Sequence, residues 1–163
     1  MRKILIYTDG SHLNKQSGHG RLGCGGVMVE DSGEGFGKLI DKFSKELLPA
    51  ELERDYGSSE VSNPTAEMIG ALEALRNFNI PPDAEVIMYA DYQGVQAFNQ
   101  GTWKCKEPYI KKIKEETDKV IKEKHLEGRL KWAWVKGHQT KAVIKTNRDA
   151  YWNDQVDSLA KGQ

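Results

Sequence analysis

The sequence predicts an α/β fold built on a five-stranded mixed sheet, with an antiparallel meander for its first three strands and helices on both faces. Three observations carry that prediction. Three strand-like runs come first with only loops between them, helical periodicities then alternate with two further strand-like runs, and two of the strands end in aspartate. A meander supplies antiparallel pairs, and later helical crossovers supply parallel ones.

The first strand, residues 4–8 (Ile-Leu-Ile-Tyr-Thr), is short, β-branched and aromatic, and it runs into the turn signal Asp9-Gly10-Ser11. After a loop containing Gly and His, residues 24–29 read as a second strand and residues 35–44 as a weaker third. Residues 49–62 are acidic with Gly, Ser and Pro, which fits a surface insertion with a single helical turn. Asn63 then suits an N-cap, Pro64 suits the first helical position, and Met68, Leu72 and Leu75 repeat at helical spacing, placing Glu67 in the first turn. Pro81-Pro82 ends that unit. Residues 86–90 read as a strand with Asp91 at its end, and residues 94–99 as a short helix. Ile110, Ile113, Thr117, Val120 and Ile121 mark a longer helix. Residues 130–135 form the last strand, and Trp152, Val156 and Leu159 place a final helix.

A chain of 163 residues, 38% of them apolar, fits one domain over residues 1–163 with a sizeable core. No apolar run approaches the length of a membrane span, and the early polar Asp9 argues against a secretory signal, so a cytoplasmic protein is the default expectation. Cys24 and Cys105, without a second pair or close-set histidines, read as two reduced thiols rather than a disulfide or a zinc site. Basic and acidic side chains balance at 24 each, but they are segregated. Residues 101–150 hold 14 basic against 7 acidic side chains, and residues 30–60 hold 4 against 9. A basic face can receive phosphates at zero net charge, although a solvated lysine-rich helix gives the same pattern. With no heptads and no unassigned apolar stripe, a monomer without an obligate protein partner is expected.

Taken singly, Asp9 before Gly-Ser is a turn residue as readily as a catalyst. Its position changes that. Sites in such sheets gather at the carboxyl ends of strands, where Asp9 and Asp91 both stand. Glu67 and an aspartate of the last helix, Asp154 or Asp157, can converge on the same point. Like charges that close repel unless a cation sits between them, and hard oxygen donors select magnesium or manganese. Two such ions would suit phosphoryl transfer. His138, on a loop after the last strand, can carry a proton if it lies beside such a centre; otherwise it is an ordinary exposed histidine. His12, His19 and His125 have no comparable setting.

The stretches Tyr7-Thr8-Asp9-Gly10-Ser11, Asn63-Pro64-Thr65-Ala66-Glu67, Ala90-Asp91-Tyr92-Gln93, Trp132 through His138, and Asn153 through Ala160 together resemble the ribonuclease H family, type 1. They occur in family order across nearly the whole chain. The resemblance implies a three-layer ribonuclease H-like fold and an endonuclease that cuts the RNA strand of an RNA–DNA hybrid duplex, leaving 3′-hydroxyl and 5′-phosphate ends. It implies that Asp9, Glu67, Asp91 and Asp157 bind two Mg2+ ions, with Mn2+ able to substitute, and that His138 is the catalytic histidine. Asp157 is preferred to Asp154 because Ser-Leu-Ala follows it. Asn63 and Gln93 match positions that contact the minor groove, where the 2′-hydroxyl distinguishes RNA from DNA. Gly10 and Ser11 would bring backbone close to the RNA strand.

Three departures from the family pattern stand out. The basic protrusion that grips the DNA strand is missing, with Lys104 and Lys106, and Lys111, Lys112 and Lys114 behind them, available to replace it in part. Trp103 suits the core or a stacking role. Asn63-Pro64 stands where many members carry two polar side chains, and residues 139–149 lengthen the stretch between His138 and Asp157. The competing expectations are a DNA junction resolvase of the same fold and a non-catalytic hybrid-binding module.

Overall fold

Strand β1, Lys3–Leu13, takes the centre of the sheet because Ile4 through Tyr7 are apolar without a break and fully buried, as a strand covered on both faces requires. The structure, a computed structural model, describes residues 2–13, 21–58 and 62–163, without the side chains of Leu13, Arg21 and Asn63. Most of the Gly- and His-containing loop, His19 included, lies outside the described residues.

The other strands are β2 (Arg21–Glu30), β3 (Lys38–Leu47), β4 (Glu85–Ala90) and β5 (Leu130–Trp134), and the sheet order is β3-β2-β1-β4-β5. β1 pairs antiparallel with β2, and β2 with β3, which is the expected meander. β4 runs parallel to β1 and to β5. The helices are α1 (Pro49–Tyr56), α2 (Asn63–Asn77), α3 (Gln93–Gln100), α4 (Pro108–Glu123), α5 (Lys141–Thr146) and α6 (Arg148–Ala160). Among the described residues no helix is long and apolar enough to cross a membrane.

Alternation along β1 divides the core in two. Ile4 and Ile6 pack with Met68, Leu72 and Leu75 of α2 and with Ile110, Ile113 and Val120 of α4. Leu5 and Tyr7 pack with Val27, Val29, Tyr89 and with Trp152 and Val156 of α6. Each of these buried side chains contributes about 2 kcal/mol by leaving water. Cys24 and Cys105 are free thiols, and burial pushes Cys24 up to about 12.

Four details differ from expectation. β1 does not stop at Asp9: the parallel ladder with β4 ends at Tyr7, but β2 continues to supply partners, Asp9 opposite Gly25 and Gly10 opposite Cys24. Asp9-Gly10-Ser11 is therefore strand, not turn. The cap of α2 is Ser62, whose hydroxyl accepts from the Thr65 N–H, and Asn63 is already inside the helix, so Glu67 sits just beyond the first turn. The acidic insertion is the two-turn helix α1, closed by Gly57 in the left-handed region at φ 75°. Residues 139–149 contain helix α5, capped by Thr140.

Two glycines allow the layers to close. A Cβ on Gly10 would lie 2.3 Å from the Ala66 carbonyl carbon and 2.4 Å from the Glu67 nitrogen, so α2 rests directly on the β1 backbone. A Cβ on Gly25 would lie 2.7 Å from Leu159 Cβ, where α6 crosses β2. Backbone cannot move aside as a flexible side chain can, so Gly10→Ala is expected to destabilise the protein by about 2–3 kcal/mol in denaturant unfolding, at the upper end for overpacking. An unchanged midpoint would contradict this tight contact.

Candidate active site

A cleft of about 450 Å3 opens where β1 outruns β4, and Asp9, Gly10, Ser11, His12, Pro64, Glu67, Asp91, Tyr92, Gly137, His138, Asp157 and Lys161 line it. Strand pairing and helix packing hold its carboxylates in place. Asp9 and Glu67 are buried and Asp91 is partly so, and one carboxylate oxygen from each lies within 4.8 Å of the others. The Gly10 N–H points between Asp9 Oδ1 and Glu67 Oε1, at 2.9 and 3.1 Å. Only a residue without Cβ can bring that donor so near α2.

Asp91 follows β4 directly. The Trp134 indole N–H donates to its carbonyl at 2.8 Å, and Asn153 Nδ2 approaches its Oδ2 at 3.4 Å. Gly137 passes so close that a Cβ there would lie 2.9 Å from Asp91 Oδ2. Asp157 lines the same cleft from α6 but stands outside the close trio, its Oδ2 bound by Lys161 Nζ at 2.8 Å. Helix α6 is seated by Trp152, whose indole donates to the Phe36 carbonyl at 2.7 Å. Tyr7 seats it too, donating to Asp149 Oδ1 at 2.5 Å.

Burial dominates the electrostatics. It pushes Asp9 up to about 7, with Asp91 and Asp157 adding repulsion and Glu67 opposing through a hydrogen bond. Burial likewise holds Glu67 well above the usual carboxylate range, reinforced by Asp9. Asp91 is raised for the same first reason. The Glu67 Oε2 atom is buried without a hydrogen-bond partner among the described residues. A buried, unpartnered oxygen beside two more carboxylates is costly as it stands and is satisfied by a cation, and an all-oxygen donor set fits Mg2+ or Mn2+.

The other expected site residues divide. Gly10 and Ser11 line the cleft, although Gly10 serves first as the contact with α2. His138 is exposed, lines the cleft and adopts φ 51°, unusual for a residue with a side chain. Asp154 lines only a smaller adjoining cavity, with Asp91, His138, Asn153 and Asp157. Gln93 is exposed at the start of α3, and Lys104 and Lys106 are exposed in the 101–107 connection, none of them on the cleft wall. The Asn63 side chain lies outside the description. Trp103 is 42% exposed, edge-on to Tyr92 and Phe98 at 6.4 and 5.4 Å. Lys161, Tyr92 and His12 are cleft residues that sequence reasoning missed. The spacing of Lys161 four residues after Asp157 was the one available signal.

A raised folded-state pKa makes protonation favour folding. For Asp9, 3.8 in its ordinary state and about 7 here, that stabilisation is complete below about pH 4 and lost as pH rises through about 7. In chelator, Asp9→Asn is expected to raise Tm at pH 8 by roughly 2–4 °C for each 1 kcal/mol of repulsion relieved, with the gain vanishing near pH 4. A gain equal at both pH values would show that Asp9 ionisation is not the cause.

Comparison with known proteins agrees with this architecture. The RNase H family model matches residues 1–163. The RNase H1 of the halophilic archaeon Halobacterium salinarum is similar in structure at 16% identity and TM-score 0.65, covering 97% of this chain and 94% of that one. LC11-RNase H1, isolated from compost by a metagenomic approach, is similar at 21% identity and TM-score 0.67 over 99% and 98%. Its complex with an RNA/DNA hybrid is similar at 19% identity and TM-score 0.65 over 98% of each chain. No curated protein sequence matches. At these identities the structures speak for the fold, and the family match over the full span says more: the chain belongs to the ribonuclease H family.

Proposed function

We propose that this protein is an endonuclease that hydrolyses the RNA strand of RNA–DNA hybrids with two divalent ions, Mg2+ or in its place Mn2+, leaving 3′-hydroxyl and 5′-phosphate ends. The observation that carries the reading is the trio of Asp9, Glu67 and Asp91, with one oxygen of each within 4.8 Å of the others and Glu67 Oε2 buried and unpartnered among the described residues. Family membership and the similarity to an RNase H1 crystallised with an RNA/DNA hybrid support the substrate.

Asp9, Glu67, Asp91 and Asp157 would hold the ions, which when bound supply an activated water and stabilisation of the leaving oxygen. The chain's own residues do the rest. The Gly10 N–H holds Asp9 and Glu67 in register, and the Trp134 indole and Asn153 orient Asp91. His138, exposed and lining the cleft, would pass a proton to the departing oxygen. Gly10 and Ser11 offer a wall without bulk for the RNA backbone, and Asn63 and Gln93, at the starts of α2 and α3, are the candidates for the minor groove. Without a protrusion, the DNA strand is left to Lys104 and Lys106, exposed and free of ion pairs among the described residues, beside the outward-facing Trp103.

Incubation with a labelled RNA–DNA hybrid and Mg2+ tests the activity, with double-stranded RNA, double-stranded DNA and a four-way junction alongside. Cutting confined to the hybrid's RNA strand and lost in Asp9→Asn is the expected result. Junction cutting would overturn the substrate, and tight hybrid binding with no turnover would leave a binding module. For the grip, Lys104→Ala with Lys106→Ala is expected to weaken hybrid binding and flatten its dependence on log salt by about 1.8, near 0.9 per lost phosphate contact. An unchanged slope would remove both lysines from the interface.

A further inference from the structure

Lys161 is the one lysine or arginine among the described residues lining the carboxylate cleft. Its ammonium lies 2.8 Å from Asp157 Oδ2, and its backbone N–H also reaches the Asp157 carbonyl at 3.2 Å, so the last turn of α6 folds the lysine back over the aspartate. An i,i+4 pair on an exposed helix face is ordinary and weak. This one differs in its neighbours. Lys161 and Asp157 line the same cleft as Asp9, Glu67 and Asp91, which puts the positive charge beside the carboxylate cluster. Among the described residues, no lysine or arginine is ion-paired to the three carboxylates of the close trio, and the fourth is the one that a lysine holds.

We infer that Lys161 is a built-in counter-cation that competes with a divalent ion for Asp157, so that completing the metal centre requires this ion pair to open. The inference rests on the proposed metal-binding role of the carboxylates. It makes Lys161 a positioning residue acting through Asp157. A monovalent ammonium on a flexible stem is readily displaced by a divalent ion bound by several carboxylates, yet it opposes that ion until it moves. Its side chain is 43% exposed, so solvent is available to receive the displaced ammonium. The consequence is a centre whose divalent affinity is set lower than its four carboxylates alone would give.

Titration calorimetry of Mn2+ into the full chain, without nucleic acid, tests this directly. Lys161→Ala is expected to bind Mn2+ about fivefold more tightly, the upper end for an exposed ion pair, whereas Lys161→Arg, which preserves the charge and the pairing, stays near the unmodified protein. In an Asp157→Asn background the gain from Lys161→Ala is expected to disappear, because the competition has lost its object. No tightening in Lys161→Ala, equal tightening with and without Asp157, or no Mn2+ binding to any variant would each overturn the proposal. Hybrid cleavage decides the nuclease reading separately: cleavage with uncoupled Mn2+ binding sinks the competition alone, and coupled Mn2+ binding without cleavage sinks the nuclease alone.

Discussion

Asp9, Glu67 and Asp91 are held closer together than ionised carboxylates tolerate, and much of the structure exists to hold them there. Two unit charges about 4 Å apart repel by roughly 4 kcal/mol at an effective dielectric of about 20. The fold relieves that repulsion in only two ways: protonation, toward which burial pushes all three groups, or a cation. The geometry persists because the backbone enforces it. Gly10 lets α2 rest on β1, and the same residue donates its N–H between Asp9 and Glu67. Packing and electrostatics are joined at one residue.

The opposite face of the sheet serves the same end from further away. Tyr7, two residues before Asp9 on β1, stacks on Tyr89 at 4.7 Å and bonds Asp149, while Arg148 bridges Asp149, Asp31 and the Tyr89 hydroxyl. Those contacts seat the first turn of α6, and Trp152 and Val156 fix its face against the sheet. Asp157, the next residue after Val156, therefore reaches the cleft with Lys161 one turn beyond. A single strand thus carries one cleft carboxylate and anchors the helix that supplies another.

What the sequence made legible was whatever depends on periodicity or on a short motif. The unbroken apolar run of β1, the alternation of helices with β4 and β5, and the acids at 9, 67, 91 and 157 all belong to that class. The extension of β1 was hidden because Asp9-Gly10-Ser11 has turn chemistry, while its strand conformation comes from β2, remote in sequence. Ser62 was missed as the cap because Asn63 is an equally good capping residue and only geometry separates neighbours. Helix α5 lacks a buried face, so no periodicity announced it. Trp103 was divided between core and surface because aromatic character does not reveal whether a neighbouring layer covers it; here Tyr92 and Phe98 contact it in T-shaped pairs and leave 42% of it in solvent.

In the proposed function a divalent ion takes the place of protons in this cleft. Calorimetric titration of Mg2+ near pH 7, repeated in buffers of different ionisation enthalpy, measures that exchange. With Asp9 at about 7 and Glu67 held above the usual carboxylate range, binding is expected to release protons, so the apparent enthalpy shifts with the buffer. Binding whose enthalpy is the same in every buffer, or no binding at all, would contradict it.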